Sequence, residues 1–288
     1  MPNVPANGIN IEFDTFGDPS SPPVLLIMGL GAQMTLWDSN FCQAIANNGH
    51  YVIRFDNRDV GLSTWFDDAG TVELGDVMAG TVTAPYTLSD MAADAAGLLD
   101  ALEISSAHIV GASMGGMIAQ TFALNHPDKT LTLTSIMSTT GNSAVGGASP
   151  EALGALLGPA PTTREEAIER GVSASKVIGS PGFHFDEAGI REFSAASYDR
   201  AFHPEGMARQ VAAIVSQPDR TEALASVKVP TLVIHGADDP LVGVSGGQAT
   251  ADAVANSQLK VIAGMGHDLP TELHGEIVEA LTHHFRRV

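Results

Sequence analysis

Several features that would mark whole classes of protein are scarce or missing. The 288 residues include one cysteine, Cys42, which excludes an internal disulfide framework and a thiolate-rich metal site. The longest early apolar run, residues 24–32, is far too short to cross a membrane, and residues 1–11 have no signal-peptide pattern. We therefore expect a cytoplasmic protein with no membrane partner.

Positive charge is also scarce. Lys and Arg number 14 against 33 Asp and Glu, a formal net charge of −19. Residues 59–128 carry ten acidic side chains and no Lys or Arg, so they would repel a phosphate backbone. We therefore expect no nucleic-acid partner. A chain of this length with 44% hydrophobic residues can form one large α/β domain with an insertion.

Short apolar runs alternate with helical patterns along most of the chain. The runs are typical of strands buried on both faces, and they occupy residues 23–29, 51–56, 107–111, 131–137, 231–236 and 259–263. Between two of them, Met91, Ala95 and Leu98 recur at helical spacing, and Thr87 with Asp90 matches a capping box. Strands alternating with helices predict an α/β fold with a doubly wound, mainly parallel sheet.

The alternation stops between residues 141 and 225. A run rich in Gly, Ser and Ala leads into four helical patterns, with starts at Ser149, Thr163, Asp186 and Pro204. We predict a helical cap there, with residues 1–140 and 226–288 forming the core. Such an insertion should govern the choice of substrate, whereas the chemistry should need only the core.

A G-x-S-x-G motif at residues 111–115 lies between a predicted strand and a predicted apolar helix. A serine on such a sharp turn is presented to substrate, and glycines two residues to either side let neighbouring backbone approach. The positive end of the helix dipole favours an oxyanion nearby. The motif predicts Ser113 as a nucleophile.

A serine nucleophile needs a base, and the base needs an orienting carboxylate. Two acids follow one later strand, and we favour Asp239, which precedes proline, over Asp238, which we expect to cap a turn or face solvent. His267 follows the next strand and is the candidate base, whereas His108 and His235 lie within predicted strands and should be packed in the core. Carboxyl ends of parallel strands share one edge of the sheet, so the three groups should meet there.

An oxyanion hole needs two backbone N–H donors. One should be Met114, the residue after the nucleophile. The other should come from the loop after the strand at residues 23–29, where Gly29 and Gly31 leave little side-chain bulk, and we assign it to Leu30.

Together these motifs resemble the α/β-hydrolase superfamily over nearly the whole chain. The segments that carry the resemblance are GASMGG at Ser113, HGADDP at Asp239, GMGHDLP at His267 and FDNRDVGLS at residues 55–63. The last two, with residues 198–200 and 204–210, are similar to the aclacinomycin methylesterase group of carboxylesterases, although Ala263 stands where proline is usual there. The resemblance implies an α/β-hydrolase fold with a helical cap inserted after the sixth strand.

We therefore predict a serine carboxylesterase that acts through an acyl-enzyme on a small to medium, largely apolar ester. Ser113, His267 and Asp239 are the predicted catalytic residues, and Leu30 and Met114 the predicted oxyanion donors. Because backbone amides supply the electrophilic assistance, we expect neither a metal nor an organic cofactor. A homo-oligomer is compatible with the sequence.

Two other functions compete with this prediction. GASMGGMIAQ closely resembles the nucleophile segment of enol-lactone hydrolases, whose anionic substrates would favour basic residues near the pocket. The predicted cap holds six arginines, whose acidic neighbours favour surface ion pairs instead: Arg164, Arg170, Arg191, Arg200, Arg209 and Arg220. A non-catalytic binding protein of this fold would need no complete Ser, Asp and His set.

Overall fold

The computed structural model describes residues 2–81 and 83–288; Met1 and Val82, both within the predicted core, lie outside the described residues. The described strands are β1 (Asn3–Ala6), β2 (Ile9–Phe16), β3 (Pro23–Ile27), β4 (Tyr51–Phe55), β5 (Ala107–Ala112), β6 (Thr130–Ile136), β7 (Thr231–Gly236) and β8 (Ser257–Ile262). They form one sheet in the order β1-β2-β4-β3-β5-β6-β7-β8. From β4 to β8 all neighbours pair in parallel.

Helices cover both faces of the sheet. In chain order they are α1 (Ser39–Asn47), α2 (Leu74–Met78), α3 (Leu88–Ala101), α4 (Met114–Asn125), α5 (Pro150–Leu157), α6 (Arg164–Ile178), α7 (Glu187–Arg200), α8 (Pro204–Val215), α9 (Thr221–Leu224), α10 (Val244–Ala253) and α11 (His274–Phe285). Consecutive residues of β3 enter opposite layers: Leu25 and Ile27 pack with α3 and α4, and Val24 and Leu26 with α1 and α11. The predicted doubly wound, mainly parallel sheet is confirmed.

The sequence analysis did not predict the first two strands. β1 and β2 form an antiparallel hairpin across Asn7 and Gly8, whose φ angles are 48° and 79°. An Asn-Gly pair at positive φ is the preferred two-residue hairpin turn. The side-chain amide of Asn7 also donates to Asp94 of α3 at 2.8 Å, which fastens the hairpin to the helix layer.

Five helices and no strand lie between β6 and β7, all within described residues. The predicted helix starts at Ser149, Thr163 and Asp186 agree with the structure, since each of these side chains accepts a hydrogen bond from a backbone N–H of the first turn. The sequence patterns missed the short helix α9. Each helix in the described part of the chain is too short or too polar to cross a lipid bilayer.

Two buried histidines lie where α11 packs on the sheet. The His108 ring of β5 lies 2.9 Å from the Thr132 hydroxyl, and His284 of α11 donates to the Leu133 carbonyl at 3.1 Å. Burial lowers the pKa of His108 from 6.5 to about 3 and that of His284 to about 4. Both rings are therefore neutral in the folded protein near pH 7, and the prediction that His108 packs in the core is confirmed.

Acidification should weaken the fold through these two rings. Between pH 6.5 and 4 these two histidines bind protons in the unfolded chain but stay neutral in the folded protein. The free energy of unfolding therefore falls as the pH falls, by up to about 1.4 kcal/mol per pH unit for each ring. Urea unfolding at several pH values measures the slope. His108→Gln should flatten it, whereas His283→Gln, at an exposed position of α11 next to His284, should not. Equal slopes in wild type and His108→Gln would contradict this account.

Candidate active site

Ser113 lies on the turn between β5 and α4 with φ 57° and ψ −122°. This is a backbone region that residues other than glycine seldom adopt. The turn is so tight that no side chain fits at the glycine on either side of it. A Cβ at Gly111 would lie 1.9 Å from the Gly115 carbonyl oxygen, and one at Gly115 would lie 2.1 Å from the Ile27 carbonyl oxygen. The motif therefore needs glycine at both positions, because a larger residue would clash with the backbone.

A continuous hydrogen-bond chain links the three predicted catalytic side chains. The Ser113 hydroxyl lies 2.9 Å from Nε2 of His267, and Nδ1 of the same ring lies 2.8 Å from Oδ2 of Asp239. A carboxylate only accepts, so Nδ1 donates and Nε2 is left to accept from the serine. This is the tautomer that a general base for Ser113 requires.

The two adjacent acids have different surroundings. The Asp239 carboxylate is fully buried, and its Oδ1 accepts from the N–H groups of Leu241 and Val242 at 2.9 Å each. Asp238 is exposed, and its carboxylate accepts from the Gly264 N–H at 2.8 Å. The structure therefore brings Asp239 to the imidazole and leaves Asp238 on a neighbouring turn, as the sequence reasoning expected.

His235 lies fully buried in β7, also as expected. Its Nε2 donates to the Val242 carbonyl at 2.7 Å, and burial lowers the pKa of its ring. The neutral ring thus supports the turn that carries Asp239.

The two predicted oxyanion donors belong to segments that lie near Ser113. Met114 is the first residue of α4, where backbone N–H groups have no acceptor within the helix. The loop that carries Leu30 passes close by, since a Cβ at Gly29 would lie 3.1 Å from Cβ and 3.6 Å from Oγ of Ser113. The fold therefore brings the Leu30 loop and the first residue of α4 next to the serine.

Sequence reasoning missed the groups that hold the Leu30 loop. Asp56, fully buried after β4, accepts from the Met34 N–H at 2.8 Å. Gln210 of α8, also fully buried, accepts from the Gly31 N–H at 2.8 Å and donates to the Arg58 carbonyl at 2.8 Å. The FDNRDVGLS segment marked Asp56, but nothing in the sequence tied Gln210 to a loop 179 residues earlier.

Three arginines between β6 and β7 are held by groups of the insertion itself. Arg164 pairs with Asp199 at 2.7 Å, and Arg191 pairs with Glu169 at 2.6 Å, both as exposed bridges between α6 and α7. Arg170 donates to backbone carbonyls at the end of α5 and beyond it. Arg164 and Arg191 thus make the predicted surface ion pairs, whereas the prediction is wrong for Arg170, which binds carbonyls instead of its acidic neighbours.

The other three arginines reach across to the core, and two of them, Arg209 and Arg220, are buried. Arg200 lies 2.7 Å from the Asp56 carboxylate, and Arg209, 1% exposed, forms a two-pronged pair with Asp59 at 2.8 Å. Arg220 donates to Gln120 and to the Thr139 carbonyl. The expectation of surface ion pairs is wrong for these three, because their partners lie on core segments distant in sequence. All six arginines are thus bound by the protein's own acceptors.

The family is identified by comparison with known proteins. A profile of the hydrolase family described as serine aminopeptidase, S33, matches residues 19–274. The chain belongs to this family. Its membership confirms the predicted superfamily and fold, and with them the prediction that the chain is a hydrolytic enzyme.

Individual relatives of this hydrolase cover nearly its whole length. Rhodomycin D methylesterase DauP from Streptomyces sp. strain C5 is 30% identical over 96% of this chain and 95% of its own. The 3-oxoadipate enol-lactonase 2 of Acinetobacter baylyi is 27% identical over 89% of this chain and 86% of its own. Among solved structures, a meta-cleavage product hydrolase from Pseudomonas fluorescens IP01 superposes with a TM-score of 0.77 at 20% identity, covering 100% of this chain and 98% of that one. At 20% identity, the similarity to this solved structure is evidence for the fold alone.

A side chain at position 115 should disrupt the serine turn of this hydrolase. The Cβ of Gly115→Ala would overlap the Ile27 carbonyl, so α4 must move away from β3, at a cost of about 1–3 kcal/mol in the free energy of unfolding. Thermal and urea unfolding measure the loss. Gly154→Ala is the matched control, because its Cβ would meet nothing within 4 Å in the exposed helix α5, and it should stabilise the protein slightly. Equal stability in the two variants would show that the contact is not tight.

Proposed function

We propose that the protein is a carboxylic ester hydrolase that works through a Ser-His-Asp triad. The observation that carries the proposal is the hydrogen-bond chain from Ser113 through His267 to the buried carboxylate of Asp239. A serine hydroxyl is a weak nucleophile by itself, and this chain gives it a base in the correct tautomer. The 30% identical methylesterase supports the assignment to esters.

In the proposed reaction, Ser113 Oγ attacks the ester carbonyl while Nε2 of His267 takes its proton. The resulting imidazolium is stabilised by Asp239 and then protonates the departing alcohol, which leaves an acyl-enzyme. Water, deprotonated by the same ring, attacks the acyl group and releases the acid and Ser113. The N–H groups of Leu30 and Met114 stabilise the negative oxygen in both tetrahedral intermediates.

We propose a small to medium, largely apolar ester as substrate, and the charges around the site favour a neutral one. A substrate carboxylate would need a free cation, and all six arginines of the insertion are bound by the protein's own acceptors. The net charge of −19 further disfavours anions. The 27% identity to an enol-lactonase keeps lactone hydrolysis as the second candidate, since the same acyl transfer opens a lactone.

We further propose that residues 141–225 form a cap over this site and select the substrate. Met207 of α8 supports this role, because its Cγ would lie 3.4 Å from a Cβ at Gly31 in the oxyanion loop. A side chain so placed can limit the size of a group bound beside Ser113.

The triad predicts a specific pattern of activity loss. Ser113→Ala and His267→Ala should each lower kcat roughly 10⁴-fold or more, because the triad acts as a unit. Asp239→Asn should cost roughly 10⁴-fold, since the amide favours the wrong tautomer of the imidazole. Hydrolysis of p-nitrophenyl butyrate measures all three.

Asp238→Asn is the matched control for the acid. It has the same chemistry one residue away but touches the Gly264 backbone and not the imidazole, so its loss should be far smaller. Wild-type-like turnover by folded Ser113→Ala, or a larger loss for Asp238→Asn than for Asp239→Asn, would refute the proposed triad.

A substrate panel separates the ester and lactone assignments. We expect kcat/KM for a neutral alkyl ester to exceed that for a matched ester bearing a free carboxylate by roughly tenfold or more, because the acidic protein repels the anion. A preference for a carboxylated enol-lactone would favour the second candidate. In the same panel, Met207→Trp should reduce kcat/KM for the longest acyl group more than for acetate; uniform losses would count against the cap as the selector.

A further inference from the structure

The loop that carries His267 lies against a segment of the helical insertion, residues 178–182, which begins at the last residue of α6. The His267 N–H donates to the Ile178 carbonyl at 2.7 Å, and the Gly182 N–H donates to the Gly264 carbonyl at 2.9 Å. The two backbones touch, since a Cβ at Gly182 would lie 2.6 Å from Cα of Gly264. The loop of the proposed base is therefore hydrogen-bonded to the insertion at His267 itself and at Gly264, three residues earlier.

One serine joins the two segments through side-chain contacts. The Ser180 hydroxyl donates to the carboxylate of Asp268 and accepts from the Gly266 N–H at 2.8 Å. The backbone N–H of Ser180 also hydrogen bonds to the Asp268 carboxylate. Gly266 and Asp268 are the residues immediately before and after His267. Ser180 thus fixes both neighbours of the base.

The environment of Asp268 makes this contact important. Burial raises the pKa of its carboxyl, while the two hydrogen bonds from Ser180 lower it. An ionised carboxylate in such a site needs donors, because losing them leaves a charge with poor solvation. Without the Ser180 hydroxyl, Asp268 would turn toward water and carry the adjacent peptide of His267 with it.

We infer that Ser180 and Asp268 are positioning residues that set the orientation of the His267 imidazole from the helical insertion. The inference rests on the proposed function, in which His267 is the base. Neither residue has a hydrogen bond to Ser113 or Asp239, so the pair acts through the backbone of the loop. The insertion is then needed for the chemistry as well as for substrate choice.

The test compares Ser180→Ala, Asp268→Ala and the double variant with wild type. Displacing a catalytic group by about 1 Å costs up to roughly a hundredfold, so each single variant should lower kcat roughly tenfold to a hundredfold while KM changes by less than about twofold. The double variant should lose no more than Ser180→Ala, because both single variants remove the hydrogen bond between Ser180 and Asp268 and Ser180→Ala also removes the one from Gly266. Ser180→Thr, which keeps the hydroxyl, should restore most of the activity.

Thr163→Ala is the matched structural control. Thr163 caps the other end of α6, so its loss should cost about 1 kcal/mol of stability. It leaves the His267 contacts intact, and kcat should remain at the wild-type value. If Ser180→Ala does not fold, Asp268→Asn takes its place, because an amide oxygen still accepts from Ser180; its kcat should lie between those of wild type and Asp268→Ala.

Labelling with a fluorophosphonate tests the proposed function and the positioning role of Ser180 and Asp268 separately. Wild type should be labelled at Ser113, and Ser180→Ala should be labelled there more slowly. Failure to label Ser113 in wild type would overturn the proposed function itself. Labelling and kcat equal to wild type in folded Ser180→Ala and Asp268→Ala would overturn only the positioning role, as would a kcat loss in Thr163→Ala as large as theirs.

Discussion

The close contact between the start of α4 and the end of β3 is the constraint on which the site depends. Only a glycine at position 115 lets the helix reach the Ile27 carbonyl, and only a glycine at 111 lets the chain turn back on itself. That contact holds Ser113 at φ 57°. It also places the amino end of α4 beside the Leu30 loop, so the positions of the proposed nucleophile and of both proposed oxyanion donors have one geometric cause.

The insertion between β6 and β7 is bonded to the core at places that matter for the site. Gln210 holds the Leu30 loop, Arg200 and the buried Arg209 reach the carboxylates of Asp56 and Asp59, and Ser180 reaches the loop that carries His267. Buried ion pairs of this kind add less to stability than their number suggests, because desolvation offsets most of the attraction. Their main effect is on position, because each fixes where a helix of the insertion lies relative to a loop of the core.

The same pairing decides what the cations can do. An arginine already bound by a buried carboxylate has few donors left for a ligand, and moving it would expose an uncompensated charge in the interior. The arginines of the insertion therefore bind acceptors of the protein itself, and their abundance there does not indicate an anion-binding pocket. This electrostatic state is the physical basis for proposing a neutral ester.

Much of the fold and the core of the site could be read from the sequence. The apolar runs, the G-x-S-x-G turn and the positions of Asp239 and His267 after strands follow from local patterns, because parallel strands bring their carboxyl ends to one edge. The hairpin at Asn7 and Gly8 had a local signal too, but its apolar and polar residues alternate, unlike the wholly apolar runs of the buried strands.

Only the tertiary structure decided which partners the insertion's polar side chains take. Gln210 meets Gly31, Arg209 meets Asp59 and Ser180 meets Asp268 across separations of 179, 150 and 88 residues. A local pattern cannot encode such pairs. An arginine next to a glutamate in the sequence is found in exposed ion pairs with that neighbour and equally in buried pairs with a distant residue. What separates the two is which face of each helix the packing turns toward the core. The sequence by itself determined which polar groups stand at the strand ends, and the packing of the insertion determined how those groups are held in place.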